Sequence, residues 1–103
     1  NKGKGERFSP TDLVATALGS CIITTVAIKR AALGIDLTGT KIEVSKVMYA
    51  EPRRIGEIKV DMYFPKTLNL DEKQKTIIER IAHTCPVAKS LHPDLKQIIS
   101  FNY

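Results

Sequence analysis

The longest apolar segment of the chain predicts a buried helix at residues 9–29, SPTDLVATALGSCIITTVAIK. Its apolar residues fall on almost every side of a helical wheel, which is typical of a helix enclosed by the rest of a protein. Ser9 before Pro10 predicts the first turn, and Asp12 lies where the helix dipole favours an acid. The run is shorter than the roughly 20 apolar residues of a membrane span. We therefore expect a core helix.

Alternating apolar and polar positions predict strands after this helix, beyond a predicted helix stop at Gly34. Residues 42–49 form one strand whose apolar phase shifts, from Ile42 and Val44 to Val47 and Tyr49, which indicates a β-bulge. The next strand alternates cleanly, and its inward residues are Ile58, Val60, Met62 and Phe64. Residues 98–103 are predicted to form a final strand.

Helical spacing returns between the second and third predicted strands. One apolar stripe contains Leu70, Ile77, Ile78, Ile81 and Cys85, which predicts an amphipathic helix. Proline cannot continue a helix without losing a backbone hydrogen bond, so Pro86 places Cys85 at a junction before a short helix that ends near residue 91. A chain of 103 residues suits one domain.

Composition and charge narrow the function classes. The 43% hydrophobic and 26% charged residues are ordinary for a globular protein. The net charge is +5, but Lys and Arg cluster only at Lys2/Lys4 and Arg53-Arg54. We expect neither a nucleic-acid nor a membrane partner. An RNA-binding module is the alternative that Arg53–Gly56 suggests, although the second glycine of a K-homology loop and an aromatic platform are absent from the sequence.

The two cysteines are the candidates for chemistry. A cysteine inside an apolar helix, such as Cys21, is more often a small core residue than a nucleophile. Cys85 precedes a helix start, where backbone N–H groups favour a thiolate. Without a secretory signal, we expect the reducing cytoplasm, where such a pair is redox-active, metal-binding or simply buried. His83 and His92 do not complete a familiar zinc pattern, and we expect no metal and no cofactor.

Four segments together resemble the osmotically inducible protein C and organic hydroperoxide resistance family: SPTDLVATALGSC, RAALGIDL, PRRIGEIKVDMYF and ERIAHTCPVAKSLHP. The resemblance runs from Ser9 to about Pro93. It implies an α+β fold in which a curved antiparallel sheet packs on a long central helix and a second helix. It also implies an intertwined homodimer with active sites at the subunit interface. Residues 1–103 would be one OsmC-like domain, largely without the family's N-terminal strands.

The resemblance also implies roles for both thiols. Cys21 matches the peroxidatic position and Cys85 the resolving one, so the implied activity is reduction of organic hydroperoxides to alcohols. A sulfenic acid on Cys21 would condense with Cys85, and an external dithiol would reduce the disulfide. The alternative is an OsmC-like protein that binds a small lipophilic ligand in the interface pocket, without using its thiols.

A thiolate in an apolar pocket needs a group that offsets its desolvation. The family uses an arginine N-terminal to the first helix, and the candidates for that role are Arg7, Arg53 and Arg54. The family also places a glutamate ten residues before the peroxidatic cysteine, where this chain has Thr11. The neighbouring acid, Asp12, points about 100° further round the helix.

Overall fold

The computed structural model describes residues 9–29 and 34–103. The described helices are α1 (Pro10–Lys29), α2 (Glu72–Ala82) and α3 (Pro86–Ser90). The described strands are β1 (Lys41–Tyr49), β2 (Arg54–Tyr63) and β3 (Lys96–Asn102). These elements confirm the α+β class and the predicted order of helices and strands. Gly34, the predicted stop after the first helix, has the left-handed φ of 67° that favours glycine.

The start of α1 is fixed by two reciprocal hydrogen bonds. The Asp12 backbone N–H donates to Oγ of Ser9 at 3.1 Å, and the Ser9 N–H donates to Oδ2 of Asp12 at 3.2 Å. This arrangement is a capping box, with Ser9 at the N-cap. Asp12 also forms an ion pair of 2.9 Å with Nζ of Lys46. The first turn of the helix is thereby tied to β1.

The sheet has the strand order β1-β2-β3 and is mixed rather than wholly antiparallel. β1 and β2 form an antiparallel pair, as expected for strands joined by a turn. β3 runs parallel to β2, which differs from the expected antiparallel sheet. The reason is the connection: α2 and α3 lie between the two strands and return the chain to the opposite end of the sheet.

The predicted bulge is present, but its extra residue lies on β2. Val47 pairs with Glu57 and Met48 with Ile55, so Gly56 is left without a partner in the ladder. The ring of Tyr49 packs directly over Gly56 and fills the space that a Cβ would need. Because β1 keeps its own alternation, Val47 stays on the outer face with 38% of its surface exposed. The expected phase shift within β1 is therefore wrong.

The core lies between α1 and the inner face of the sheet. The inward positions predicted for the second strand are confirmed, because Ile58, Val60, Met62 and Phe64 are all buried. Their neighbours on α1 include Leu18, Ile22 and Val26. By length and composition alone α1 could also cross a bilayer, but here five of its residues are buried within this protein core.

The second helical region matches its prediction closely. Asp71 begins α2 with a capping box, in which its carboxylate accepts the Gln74 N–H at 2.7 Å and the Gln74 side chain accepts the Asp71 N–H at 3.0 Å. Ile78 and Ala82 are the buried residues of this helix. α2 ends at Ala82 and α3 begins at Pro86, so Cys85 lies in the junction between them.

Candidate active site

The fold brings the two cysteines together although they are far apart in sequence. Cys21 lies in the second half of α1 and is half-buried, whereas Cys85 is completely buried. Cys85 is the N-cap of α3, followed by proline at the first helical position, and its Sγ accepts the Ala88 N–H at 3.2 Å. Both sulfurs are free thiols. The helix start predicted by Pro86 is present, and Cys85 is its N-cap.

Hydrogen bonds around Cys21 favour its ionised form. Burial alone would raise the pKa of this thiol, but hydrogen bonds from the Val87 backbone N–H and the Cys85 thiol lower the pKa of Cys21 below its ordinary value. The Thr25 hydroxyl lies 4.0 Å from Sγ of Cys21, but it donates its proton to the Cys21 carbonyl at 2.8 Å and not to the sulfur.

The pKa of the Cys85 thiol shifts in the opposite direction, upwards. Burial raises the pKa of the Cys85 thiol, and the neighbouring Cys21 raises it further, which outweighs the hydrogen bonds from the Ala88 and Val87 N–H groups. Cys21 is therefore the more acidic thiol of the pair, and once it is ionised it can accept a hydrogen bond from the Cys85 thiol. Such a pair holds a nucleophile, a proton and a second sulfur next to each other.

A comparison with known protein families identifies the family to which this chain belongs. A model of the family described as OsmC-like protein matches residues 3–99. The chain belongs to the OsmC-like family. The resemblance inferred from the four sequence segments is thus confirmed at the level of the family. No curated protein matches the chain significantly.

Solved structures agree with this OsmC-like assignment. An osmotic stress induced and detoxification response protein from Psychrobacter arcticus 273-4 is 49% identical, with a TM-score of 0.91 over 99% of this chain and 73% of that one. An organic hydroperoxide resistance protein OsmC from Legionella pneumophila is 16% identical, with a TM-score of 0.79 over 99% and 74%. The organic hydroperoxide resistance protein OhrB of Bacillus subtilis is 18% identical, with a TM-score of 0.67 over 91% and 70%. The last two share the fold.

The arginines predicted to activate Cys21 are not brought to it within the part of the chain that the structure describes. Arg7 lies outside the described residues. Arg53 is exposed in the β1–β2 turn, and Arg54 stacks its guanidinium on the ring of Tyr49 at 4.9 Å. Among the described residues, no cationic side chain contributes to the pKa of Cys21. The backbone N–H of Val87 and the Cys85 thiol supply the stabilising hydrogen bonds.

Thr11 and Asp12 belong to the helix start and not to the thiol pair of the same chain. Thr11 precedes Cys21 by ten residues, about 15 Å along a helix axis. Its hydroxyl lies 3.1 Å from that of Ser9. The side chain of Asp12 is engaged with Ser9 and Lys46, which lower its pKa to about 2. Neither residue can contact Cys21 of its own chain.

A cavity of about 640 Å³ opens near the N-terminal half of α1. Val14, one of its lining residues, lies two turns before Cys21 on nearly the same helical face. The remaining lining residues come from the β1–β2 turn, β2 and the segment after α3: Pro52, Arg54, Ile55, Leu91, His92, Asp94 and Leu95. Most of these side chains are apolar, and a guanidinium, an imidazole and a carboxylate add charge or hydrogen-bonding capacity.

Sequence reasoning missed Thr25 and the Val87 N–H as partners of Cys21. Helical spacing offered a signal for Thr25, since it follows Cys21 by one turn and side chains four residues apart are neighbours. No sequence signal indicates which backbone N–H faces Cys21, because that contact depends on how α3 docks on α1. Within residues 9–29 and 34–103, no group of three His, Cys, Asp or Glu side chains could hold a metal.

Proposed function

We propose that this OsmC-like protein is a thiol-dependent peroxidase that reduces organic hydroperoxides to alcohols. The observation that supports the proposal most is the pairing of Cys21, whose thiol pKa is lowered, with the buried thiol of Cys85, whose pKa is raised. A peroxidatic sulfur must be a thiolate, and a resolving sulfur must lie within reach of it. Membership of the OsmC-like family agrees with this chemistry.

In the proposed first step, the Cys21 thiolate attacks the terminal oxygen of the hydroperoxide. An S–O bond forms while the O–O bond breaks, so the sulfur is oxidised to a sulfenic acid and the hydroperoxide is reduced to an alkoxide. The alkoxide takes the proton of the Cys85 thiol and leaves as the alcohol. The acidity ordering of the two thiols fits this transfer, because Cys85 keeps its proton until a stronger base than Cys21 appears beside it.

In the proposed second step, the Cys85 thiolate attacks the sulfur of the sulfenic acid. An S–S bond forms, the S–O bond breaks and hydroxide leaves. An external dithiol then reduces the Cys21–Cys85 disulfide by exchange and is itself oxidised to a disulfide. The hydrogen bond from Ala88 to Sγ of Cys85 holds the second nucleophile at the start of α3 until this step.

We also propose that the working form is a homodimer. One face of α1 is apolar and uncovered in the single chain, where Leu13 is 56% and Ile28 is 72% exposed. A second copy placed on this face would bury these side chains, and exposed apolar surface of this kind favours association. The dithiol reductant suits the cytoplasm, which we propose as the compartment.

The peroxidase proposal is tested by hydroperoxide consumption. Purified protein, dithiothreitol and cumene hydroperoxide are mixed, and the remaining hydroperoxide is followed with time for wild type, Cys21→Ser and Cys85→Ser. We expect Cys21→Ser to reduce turnover to the rate of dithiothreitol alone. Cys85→Ser should keep the first oxidation but turn over more slowly, because the sulfenic acid then waits for external thiol. Equal rates for wild type and Cys21→Ser would overturn the proposal.

The cavity beside Val14 favours a second candidate function, the binding of a small lipophilic ligand. Its volume of about 640 Å³ and its mainly apolar lining lie in the range of small-molecule sites. Binding of a fluorescent fatty acid to wild type and to Val14→Trp tests this function. Saturable binding that Val14→Trp abolishes would favour the second candidate over the first if the wild-type protein also shows no thiol-dependent peroxidase activity.

A further inference from the structure

Thr25 follows Cys21 by one helical turn, and its hydroxyl lies next to the Cys21 thiol. Its hydroxyl donates to the carbonyl oxygen of Cys21 at 2.8 Å. This bond orients the side chain and commits its proton, so the lone pairs of Oγ1 remain available as acceptors. Oγ1 lies 4.0 Å from Sγ of Cys21, and Thr25 is half-buried on the same helical face.

The distance of 4.0 Å between Sγ and Oγ1 can be bridged by a bent path through one oxygen atom that lies to the side of the line joining them. A direct hydrogen bond between a thiol and a hydroxyl at 4.0 Å is at its longest limit and weak. A bent S–O···O arrangement that contains an O–H···O hydrogen bond of about 2.8 Å spans roughly 4 Å. Oγ1 of Thr25 is thus placed to accept a hydrogen bond from an O–H group whose oxygen is bonding to Sγ.

We propose that Thr25 is a catalytic residue whose hydroxyl oxygen binds the O–H group that passes from the hydroperoxide to Cys21. This inference rests on the proposed peroxidase function. In the bound hydroperoxide the terminal O–H donates to Oγ1, which aims the terminal oxygen at Sγ and leaves the alkoxide oxygen on the far side. As the S–O bond forms and the O–O bond breaks, the same O–H becomes that of the sulfenic acid and keeps its hydrogen bond to Thr25.

The inference predicts a difference between two reagents that attack the same thiolate. Oxidation by a hydroperoxide transfers an O–H group to Sγ, whereas alkylation by iodoacetamide transfers a carbon that cannot donate to Thr25. Loss of one such hydrogen bond in the transition state should slow oxidation roughly tenfold. Alkylation should report only the accessibility and ionisation of Cys21. The ratio of the two rate constants is therefore insensitive to a general change in the thiol.

The experiment measures both second-order rate constants at Cys21 in the full chain. The variants are Thr25→Val, which keeps the branched shape, Thr25→Ser, which keeps the hydroxyl, and Thr24→Val, which removes a threonine hydroxyl at the preceding, exposed position. We expect the ratio of oxidation by cumene hydroperoxide to alkylation to fall roughly tenfold in Thr25→Val. Thr25→Ser should restore most of it, and Thr24→Val should match wild type.

The failures of the two proposals differ in this experiment. An unchanged ratio in Thr25→Val, with rapid oxidation of wild type, would overturn the role of Thr25 and leave the peroxidase proposal intact. Oxidation of wild type no faster than that of glutathione at the same pH would overturn the peroxidase proposal, and the role of Thr25 with it. Should Thr25→Val fail to fold by circular dichroism, Thr25→Ala is measured in the same way.

Discussion

Replacing Gly19 by alanine tests how α1 is seated on the sheet two residues before Cys21. Gly19 is buried where α1 crosses β1. A Cβ at this position would lie 2.5 Å from Cγ2 of Val44 and 3.6 Å from Cγ2 of Ile42. The first of these distances is too short for two carbon atoms, so either Val44 must leave its rotamer or the helix must move away from the strand.

Two opposing contributions set the size of the effect. Alanine is better than glycine within a helix by about 1 kcal/mol. Overpacking of a close contact costs about 1–3 kcal/mol, and a β-branched side chain such as Val44 has few rotamers with which to relieve it. We expect Gly19→Ala to lower the free energy of unfolding by about 1 kcal/mol. The stabilisation that alanine gives to a helix relative to glycine should be measurable once Val44→Ala removes the methyl groups that clash with it.

Urea unfolding at fixed protein concentration measures this prediction through a double-mutant cycle with Val44→Ala. In the Val44→Ala background, Gly19→Ala should stabilise the protein by up to about 1 kcal/mol. The sign of the substitution thus changes between the two backgrounds. Stabilisation by Gly19→Ala in the otherwise wild-type protein, or the same effect in both backgrounds, would refute the close packing of α1 on β1 as the cause.

Three further predictions follow from the capping, electrostatic and thiol interactions. The hydrogen bond and charge of Lys46 lower the pKa of Asp12 from its ordinary value of 3.8 to about 2. The stability that the ionised Asp12 contributes to the fold is therefore complete above pH 3.8 and is lost as the pH falls towards 2. Urea titrations should show Asp12→Asn with a shallower loss of stability over that window, and parallel curves would contradict this. Cys85→Ala should raise the pKa of Cys21, measured as the pH dependence of its alkylation, because a hydrogen bond to the thiolate is lost; an unchanged profile would count against the pair. Asp71→Ala should cost about 1 kcal/mol in unfolding free energy through loss of a helix cap, and Lys73→Ala, at an exposed position of the same helix, is its control.

Local patterns predicted the elements of this fold, because each has a local cause. Ser9 and Pro10 define the start of α1, and strict alternation from Ile58 to Phe64 defines the inner face of β2. The direction of β3 has no such local cause. Whether a strand joins a sheet parallel or antiparallel depends on where the preceding helices carry the chain, which spacing within the strand does not record.

The bulge shows the same limit on a smaller scale. The sequence of β1 indicated an irregularity at the right place, but the extra residue is Gly56 on the partner strand. Glycine is needed there because the ring of Tyr49 occupies the space of a side chain. That contact joins two strands and could be seen only once their register was known.

In the candidate site, too, some features could be predicted from the sequence and others depend on how the elements pack. The position of Cys85 before Pro86 predicted a cysteine at a helix start, and α3 has that geometry. Activation by an arginine was inferred from the family resemblance, and Arg54 instead stacks on Tyr49. The Val87 N–H is a backbone group, so no choice of amino acid in the sequence reveals its role. Docking of one helix on another created this part of the site.

The mass of the protein after one equivalent of cumene hydroperoxide tests the central claim most directly. The account predicts that wild type becomes lighter by two hydrogen atoms and that peptide mapping finds a Cys21–Cys85 disulfide. It also predicts that Cys85→Ser becomes heavier by one oxygen atom, trapped by dimedone as a sulfenic acid on Cys21. Wild type that retains both free thiols, or oxidation found only at its methionines, would contradict the account.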